Sequence, residues 1–578
     1  MSDPTTAALA AQQREILCEY AASSHPPICQ VDRVEELMLP MRDGVRLHTI
    51  CYLPAVKAPY PTIVQRSCYP ATEPLARTHA RAYCERGYAF ILQYCRGTQE
   101  SEGEWVPNVH ERDDGLDTMA YLEARADIGP IGYLGSSYLA LTGWAMADAL
   151  PEKVRTLYLT QYGVDRFTSA YQAGLFRHDI LTAWTMENAG YPIDADYLAS
   201  CAYRPHVQVD EALWGGKIDW YRSYVTNTSR SDPYWQQGFW KQLAEIPAKV
   251  SLPVYIGEGW YDHHLGSALV TYETLSETAK AHTTLRIGCW NHSFQPCMQG
   301  RSARHLQNSD IRTALDWFDQ ILKQGVTPAG KVETYLIGAD CWKTQPAFPF
   351  PEEESRAFYL DGRAADPAQI AGTACRLEPE PASRGGEISY LYDPAHPVIS
   401  HGAESLFHSM TEVGSLLQPA CGYREDVISF VSQPLPQALE ITGKITADLF
   451  VRSDAEDTAF TVKVMEIFPD GRAYNIRSGI TTLAYRGGSD RRLAYTPGQS
   501  VRVKAPLWDI AWLVGKGSRI RVDISSSDFP QYAVHSNYAG VWSEQTQTKV
   551  ARQTLLWGGD TPSRILFPVK RQIKEEEK

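Results

Sequence analysis

The 578-residue chain has no apolar run near the roughly 18 residues that a bilayer-spanning helix needs. Its start, Met1-Ser2-Asp3-Pro4, lacks the basic stretch and apolar core of a secretory signal. Cys-x-x-Cys pairs are missing too: the 12 cysteines are scattered, which argues against a redox dithiol or a zinc ribbon. Without an export signal they read as reduced, mostly buried thiols, and the expected location is cytoplasmic, with no membrane partner. Positive charge is in short supply. With 55 Lys and Arg against 68 Asp and Glu the formal net charge is −13, so no nucleic-acid partner is expected. Internal repeats and low-complexity tracts are absent, which removes solenoids. Aromatic residues, in contrast, are plentiful: 32 Tyr and 15 Trp suit broad pockets or interdomain contacts as well as large cores. The length exceeds what one core serves and predicts two to four domains.

The pattern along the chain divides it further. Residues 5–22, rich in Ala, Leu and Gln, read as a helix ended by Ser23-Ser24-His25-Pro26-Pro27. They form an N-terminal arm (1–32) and a candidate for oligomer contacts. Strand-like runs on either side of Asp43-Gly44 predict a hairpin. Short apolar runs at 62–65, 88–92 and 131–134 then alternate with helical stretches at 74–86 and 113–125, the mark of a parallel sheet with covering helices. Residues 146–247 are rich in Trp and Tyr without clear strands and read as an inserted helical cap. Sheet-like runs return at 253–256 and 285–288, and 303–323 reads as a closing amphipathic helix. The expected α/β-hydrolase core is therefore 33–145 plus 248–350. Beyond Phe348-Pro349-Phe350-Pro351 the chain is strand-rich and broken by Gly and Pro, which predicts a β jelly roll over 351–578 that walls the pocket. Its last residues, Lys574-Glu575-Glu576-Glu577-Lys578, read as a solvated tail.

One segment carries chemistry. Gly135-Ser136-Ser137-Tyr138-Leu139-Ala140 follows a strand and precedes an Ala- and Leu-rich stretch, the setting of a nucleophile elbow that lifts Ser137 Oγ above a sheet. The usual pattern is Gly-x-Ser-x-Gly, and Leu139 stands at its last position. Ser136, at the interior position, is the competing serine. A serine nucleophile needs a base, and the base an orienting acid. In this fold class they follow in the order acid, then His. Asp262, in Gly259-Trp260-Tyr261-Asp262-His263-His264, and His292, in Gly288-Cys289-Trp290-Asn291-His292, both fit that order. Both also sit just past strand ends, where open α/β sheets build their sites.

Several blocks in order resemble one hydrolase family. They are Arg96-Gly97 with Ser101-Glu102-Gly103-Glu104-Trp105, Asp113 and Asp117; Gly135-Ser136-Ser137-Tyr138; Gly259-Trp260-Tyr261-Asp262; and Trp290 with His292. Beyond residue 350 come Tyr392-Asp393-Pro394-Ala395, Asp454-Ala455 with Asp457-Thr458, Pro469-Asp470-Gly471-Arg472, and Ser525-Ser526-Ser527 with Phe529-Pro530. From about residue 33 onward the chain is similar to the cocaine esterase, α-amino-acid ester hydrolase and X-Pro dipeptidyl-peptidase family. The resemblance implies Ser137 as nucleophile, His292 as base and Asp262 as its orienter. It also implies an oxyanion hole from the Tyr138 backbone N–H and the hydroxyl of Tyr69, in Gln65-Arg66-Ser67-Cys68-Tyr69-Pro70. The sequence departs from the family in having Cys289 where Pro is common, and His263-His264 after the acid. These histidines line the acyl pocket or bind a polar substrate group, or else one is exposed and one packs.

Other readings weigh less. Adjacent His263 and His264 point apart and lack further ligands at helical spacing, so no metal is expected. Cys68 and Cys289 read as neutral small hydrophobes. Asp113, Asp114 and Asp117 complement a helix dipole, Arg96 makes a buried ion pair, and Asp454 and Asp457 belong to turns. Trp144, Trp184, Trp214 and Trp220 shape a pocket or form cap core; Trp144 and His264 are the named pocket candidates. The expected activity is hydrolysis of a small-molecule ester, or an amide, through a Ser137 acyl-enzyme that needs no cofactor. An acyltransferase, an X-Pro dipeptidyl-peptidase or acyl amidase, and a binding protein on a hydrolase scaffold stay open.

Overall fold

Ten of the first twelve strands build the sheet that carries Ser137, Asp262 and His292. They are β1 (Val31–Pro40), β2 (Arg46–Pro54), β3 (Tyr60–Ser67), β4 (Ala89–Tyr94), β5 (Ile128–Ser136) and β6 (Val154–Thr160). A small hairpin of β7 (Tyr171–Gln172) and β8 (Leu175–Phe176) lies outside the sheet, which resumes with β9 (Val254–Tyr261), β10 (Thr284–Asn291), β11 (Lys331–Leu336) and β12 (Cys341–Gln345). The computed structural model describes residues 4–571 apart from 307, 308, 367, 369, 403, 405–411 and 489. The expected tail from Lys574 to Lys578 lies outside the described residues.

The spatial order is β1-β2-β4-β3-β5-β6-β9-β10-β11-β12. Strands β4 to β11 in that order run parallel, with antiparallel β1, β2 and β12 at the edges. Buried on both faces, β4 (Ala-Phe-Ile-Leu-Gln-Tyr) and β9 have no exposed residue, which is why they read as unbroken apolar runs. One face is covered by α1 (Pro4–Ala21), α2 (Glu73–Cys84) and a later helix, Asp310–Phe318. The other is covered by α3 (Glu111–Ala124) and α4 (Tyr138–Trp144). The expected closing helix over 303–323 is shorter than its pattern, because Ser309 caps it and starts it at Asp310. The arm folds back on its own domain: the Tyr20 hydroxyl meets His79 Nδ1 at 2.9 Å, and Ser309 Oγ donates to Glu19 at 2.6 Å.

The expected cap boundary at 146 is corrected. Val154–Thr160 is a sheet strand between β5 and β9, mostly buried, so the insertion starts after Thr160. Its alternating charged and apolar start, Val154-Arg155-Thr156, hid it among aromatic neighbours. The insertion holds α5 (Arg166–Ala170), α6 (His178–Glu187), α7 (Tyr197–Ala202), α8 (Asp219–Thr226), α9 (Pro233–Gln236) and α10 (Gly238–Glu245). Its core of Phe167, Trp214, Tyr221 and Trp235 is shared with Ile480, Tyr532 and Trp542 of the C-terminal domain. After β9 come α11 (Leu265–Thr274) and α12 (Glu277–Lys280), and then α13, the Asp310–Phe318 helix.

From Glu354–Ala364 to Arg564–Val569 the chain forms a jelly-roll domain of mostly antiparallel strands around Phe430, Val464, Ile476, Val522 and Phe567. Arg477 joins it to the sheet. This guanidinium has no exposed surface, pairs with Glu404, and donates to the carbonyls of Trp260 (2.5 Å) and Asp509 (2.6 Å). The Tyr261 hydroxyl donates back across the interface to the Ile476 carbonyl at 3.0 Å. Breaking one half of a buried, hydrogen-bonded pair leaves the other charge desolvated. Arg477→Met is therefore expected to lower stability by about 3–5 kcal/mol, read as a shift of the denaturant midpoint. An unchanged midpoint would show that the pair is not a structural tie.

Candidate active site

Ser137 stands between β5 and α4 with φ +56°, ψ −128°, a strained conformation for a residue with a Cβ. The strain comes from the sharp strand-to-helix turn, which Gly135 permits. A Cβ on Gly135 would lie 2.2 Å from the Leu139 carbonyl oxygen. This explains the irregular motif: the tight approach falls on Gly135, while Leu139 is half-buried and its backbone makes the contact. Ser136 is committed elsewhere, donating to Gln161 at 3.1 Å.

Strands β9 and β10 lie side by side and bring their ends to Ser137. Their closeness is enforced at Gly259, where a Cβ would meet the Trp290 carbonyl oxygen at 2.1 Å. Past β9, Asp262 is fully buried; past β10, His292 is part-buried. His292 Nε2 lies 3.0 Å from Ser137 Oγ, and its Nδ1 lies 2.7 Å from Asp262 Oδ2. The other Asp262 oxygen accepts the His264 backbone N–H at 2.7 Å. This line of hydrogen bonds can take a proton from the hydroxyl and stabilise the imidazolium that forms.

Tyr138 opens α4, where its backbone N–H has no partner within the helix. Its ring is held from below: the hydroxyl donates to Glu111 at 2.9 Å and accepts from the Asn108 backbone at 2.7 Å. Glu111 in turn faces the buried Arg66 at 3.3 Å. Tyr69 borders the same cavity and accepts from Trp184 Nε1 at 3.0 Å, which orients the phenol and leaves its proton free to donate. Burial pushes the Tyr69 phenol well above its ordinary range, so it stays protonated.

The cavity over Ser137 is small, about 40 Å³, and is bordered by Tyr69, Asn108, Tyr162, Arg166, Trp184 and the three histidines, among others. Of the readings left open for His263 and His264, the structure has both at the cavity border and neither exposed: they are buried, at 1% and 2% exposure. Cap residues hold them there: Ser169 Oγ meets His264 Nδ1 at 3.0 Å, and Arg177 donates to the His263 carbonyl at 3.3 Å. Burial lowers both imidazoles well below their ordinary range, with the charges of His292 and Arg166 adding to it, so both are neutral. Trp144 does not border the cavity. It belongs to α4, not to the cap, and is buried in the sheet core. Trp184 is the cap tryptophan at the site, while Trp214 is cap core.

Among the described residues, none of the jelly roll borders this cavity. It lines a larger one of about 610 Å³, where cap, sheet domain and jelly roll meet and which none of Ser137, Asp262 and His292 borders. Cys68 is buried, and burial raises its thiol well above the ordinary range; Cys289 is buried as well. Arg96 pairs with Asp114 at 2.7 Å and Asp43 at 2.7 Å, and Asp113 and Asp117 pair with Arg42. In the jelly roll, Asp457 accepts the Thr458 and Ala484 backbone N–H groups, and Asp454 accepts that of Arg552. Asp262, His263 and His292 place ligand atoms within 4.8 Å of one another, closer than the sequence pattern implied. Both His292 nitrogens and both Asp262 oxygens already serve the hydrogen-bonded line to Ser137, so a metal there would have to break it.

Sequence reasoning missed Glu258, a fully buried carboxyl inside an otherwise apolar strand. The lone acid in Val254-Tyr255-Ile256-Gly257-Glu258-Gly259 was the available signal. It also missed Arg166, which stands in no motif.

The chain matches the X-Pro dipeptidyl-peptidase (S15 family) pattern over residues 43–294. It matches the X-Pro dipeptidyl-peptidase C-terminal non-catalytic domain over residues 324–566. It is 30% identical to cocaine esterase of Rhodococcus sp. (strain MB1 Bresler), covering 92% of this chain and 98% of that one. Among solved structures, an α-amino acid ester hydrolase superposes with a TM-score of 0.78 at 22% identity, covering 95% of this chain and 99% of that one. An aminopeptidase from a marine sediment Thaumarchaeota archaeon gives 0.76 at 20%, covering 93% and 96%. These last two likenesses show a shared fold.

Burial first, and then the charge of Asp262, push the Glu258 carboxyl well above the usual carboxylate range. The folded protein thus holds a proton that the unfolded chain releases above its ordinary pKa of 4.5. Stability from this group is present below that pH and is lost as pH rises toward the folded pKa. The Tm of Glu258→Gln relative to wild type is expected to climb steadily between about pH 5 and 8. A difference that stays flat across this range would mean that Glu258 is ionised in the folded protein.

Proposed function

The chain belongs to the cocaine esterase and X-Pro dipeptidyl-peptidase family of serine hydrolases, and on that premise we propose that it cleaves an ester of a small organic molecule through an acyl-enzyme on Ser137. The observation that carries this reading is the line from Ser137 Oγ through His292 to Asp262, with steps of 3.0 and 2.7 Å. Ser137 Oγ attacks the ester carbonyl while His292 Nε2 accepts its proton, and Asp262 holds the ring and balances the imidazolium. The tetrahedral oxyanion takes hydrogen bonds from the Tyr138 backbone N–H and the Tyr69 hydroxyl. His292 returns the proton to the departing alkoxide, leaving the acyl group on Ser137. Water, activated by the same imidazole, then releases the acid.

The cavity border favours an ester of an acid over a peptide with a free amino terminus. Capture of a substrate ammonium needs a carboxylate, and among the described residues bordering the cavity there is none. The charged group there is Arg166, of the wrong sign for that role.

A fluorophosphonate probe is expected to label the wild type and Ser136→Ala, but not Ser137→Ala. Labelling that survives Ser137→Ala assigns the nucleophile elsewhere, and an unlabelled wild type removes the hydrolase reading. With an aryl ester, His292→Ala should lower kcat by about 10⁴–10⁶. Tyr69→Phe should lower kcat by roughly 10²–10³ with KM little changed. An unaffected kcat in Tyr69→Phe would remove that hydroxyl from the oxyanion hole.

A further inference from the structure

The catalytic cavity contains a charge that ester hydrolysis by itself does not use. Arg166, the first residue of α5, borders it together with Ser137, Tyr69 and His264. The residue is 8% exposed, and its Nε is buried without a hydrogen-bond partner. Its guanidinium lies over the rings of Tyr224 (5.6 Å) and Tyr162 (6.0 Å). Those aromatic faces offset only part of the cost of desolvating a full charge.

Other deeply buried arginines have a carboxylate or carbonyl partner. Arg66 faces Glu111, Arg177 pairs with Asp179 at 2.9 Å, Arg477 with Glu404, and Arg521 with Asp523 at 2.6 Å, while Arg86 donates to the carbonyls of His25, Ala82 and Tyr20. Among the described residues Arg166 has neither a carboxylate nor a carbonyl so placed. Asp165, its neighbour in sequence, is bound at 3.0 Å by Arg230 and caps α5. Asp262 is spent on His292 and the His264 backbone. His263 and His264 are neutral and supply no counter-charge. An arginine stays protonated at any working pH, so the cavity keeps one uncompensated positive charge beside the nucleophile.

We propose that Arg166 binds a carboxylate on the acyl part of the substrate, so that the preferred substrates are esters of short dicarboxylic acids with one carboxyl group free. This rests on Ser137 being the nucleophile. A planar guanidinium fork matches a carboxylate in size and geometry. The single cation and the volume of about 40 Å³ suit a short chain with one carboxylate and not a bulkier, doubly charged phosphate. The acyl side is assigned because that part stays attached to Ser137 through both steps, whereas the leaving group has to exit to solvent.

The test compares kcat/KM for an aryl butyrate, the mono-aryl ester of succinate, and the acetate ester of a carboxyphenol, at a pH where the carboxylates are ionised. The wild type is expected to favour the succinate ester over the butyrate by about 10- to 100-fold, as for a hydrogen bond to a charged group. That ratio should fall to about 1 in Arg166→Met and be partly kept in Arg166→Lys. A wild-type ratio near 1, a ratio kept by Arg166→Met, or a preference for the carboxyphenyl acetate overturns the proposal. Fluorophosphonate labelling of each protein separates the failures: an unlabelled wild type defeats the Ser137 reading, whereas normal labelling with a ratio near 1 defeats this inference alone. If Arg166→Met does not fold, protection of the wild type from labelling decides instead. Succinate should protect and succinamide should not; equal protection, or none, overturns the carboxylate assignment.

Discussion

Asp262 is a carboxylate without exposed surface at the end of β9, and the surrounding structure is arranged to answer it. One oxygen holds the His292 imidazole and the other holds the backbone of His264. Its charge helps to keep Glu258, four residues back in the same strand, protonated. A buried anion costs several kcal/mol unless each oxygen finds a partner, so the loops after β9 and β10 cannot be placed independently of each other. The jelly roll enters at this point: Arg477 grips the carbonyl of Trp260, two residues before Asp262. A domain with none of its described residues at the cavity over Ser137 thereby still holds the strand end from which Asp262 projects.

The second constraint is steric. Ser137 reaches its position through a positive φ that the chain tolerates because Gly135 leaves room for the returning backbone. The turn is buttressed through Tyr138, Glu111 and Arg66, so the elbow is tied to β3 and α3 as well as to its own strand. On the other side, Trp184 stacks on Tyr138 and bonds the Tyr69 hydroxyl, which makes the cap a structural part of the proposed oxyanion hole. The cap is packed in turn against Tyr532 and Trp542 of the jelly roll. The domains thus meet around the site through rigid aromatic contacts, and the small cavity follows from how tightly they close.

Much of this was legible beforehand. The hairpin, the parallel strands and the jelly roll follow from apolar periodicity and turn residues, which are local properties. Ser137, Asp262 and His292 could be picked out because strand ends and chain order restrict where such groups occur. Val154–Thr160 was missed because it lies among aromatic cap residues and its polar positions blur the apolar run. Trp144 was assigned to the pocket on residue type alone, yet it sits on α4 and points into the sheet core. For His263 and His264 the sequence left open whether both line the pocket or one is exposed. Both are buried, since α11 begins there and the cap closes over the turn.

What the amino-acid order determined by itself is membership of a serine-hydrolase family: blocks around a serine after one strand, and an acid and a histidine in sequence after later strands, are legible because each depends on local backbone form and on the order of strands. What only the tertiary structure decided is the character of the pocket. Whether Arg166 has a counter-ion, whether Glu258 is protonated and whether His263 and His264 are neutral depend on which charges burial brings together and which it keeps apart. Those distances are set by packing between segments as far apart in the chain as Arg166, Asp262 and Glu404, and no local pattern encodes them.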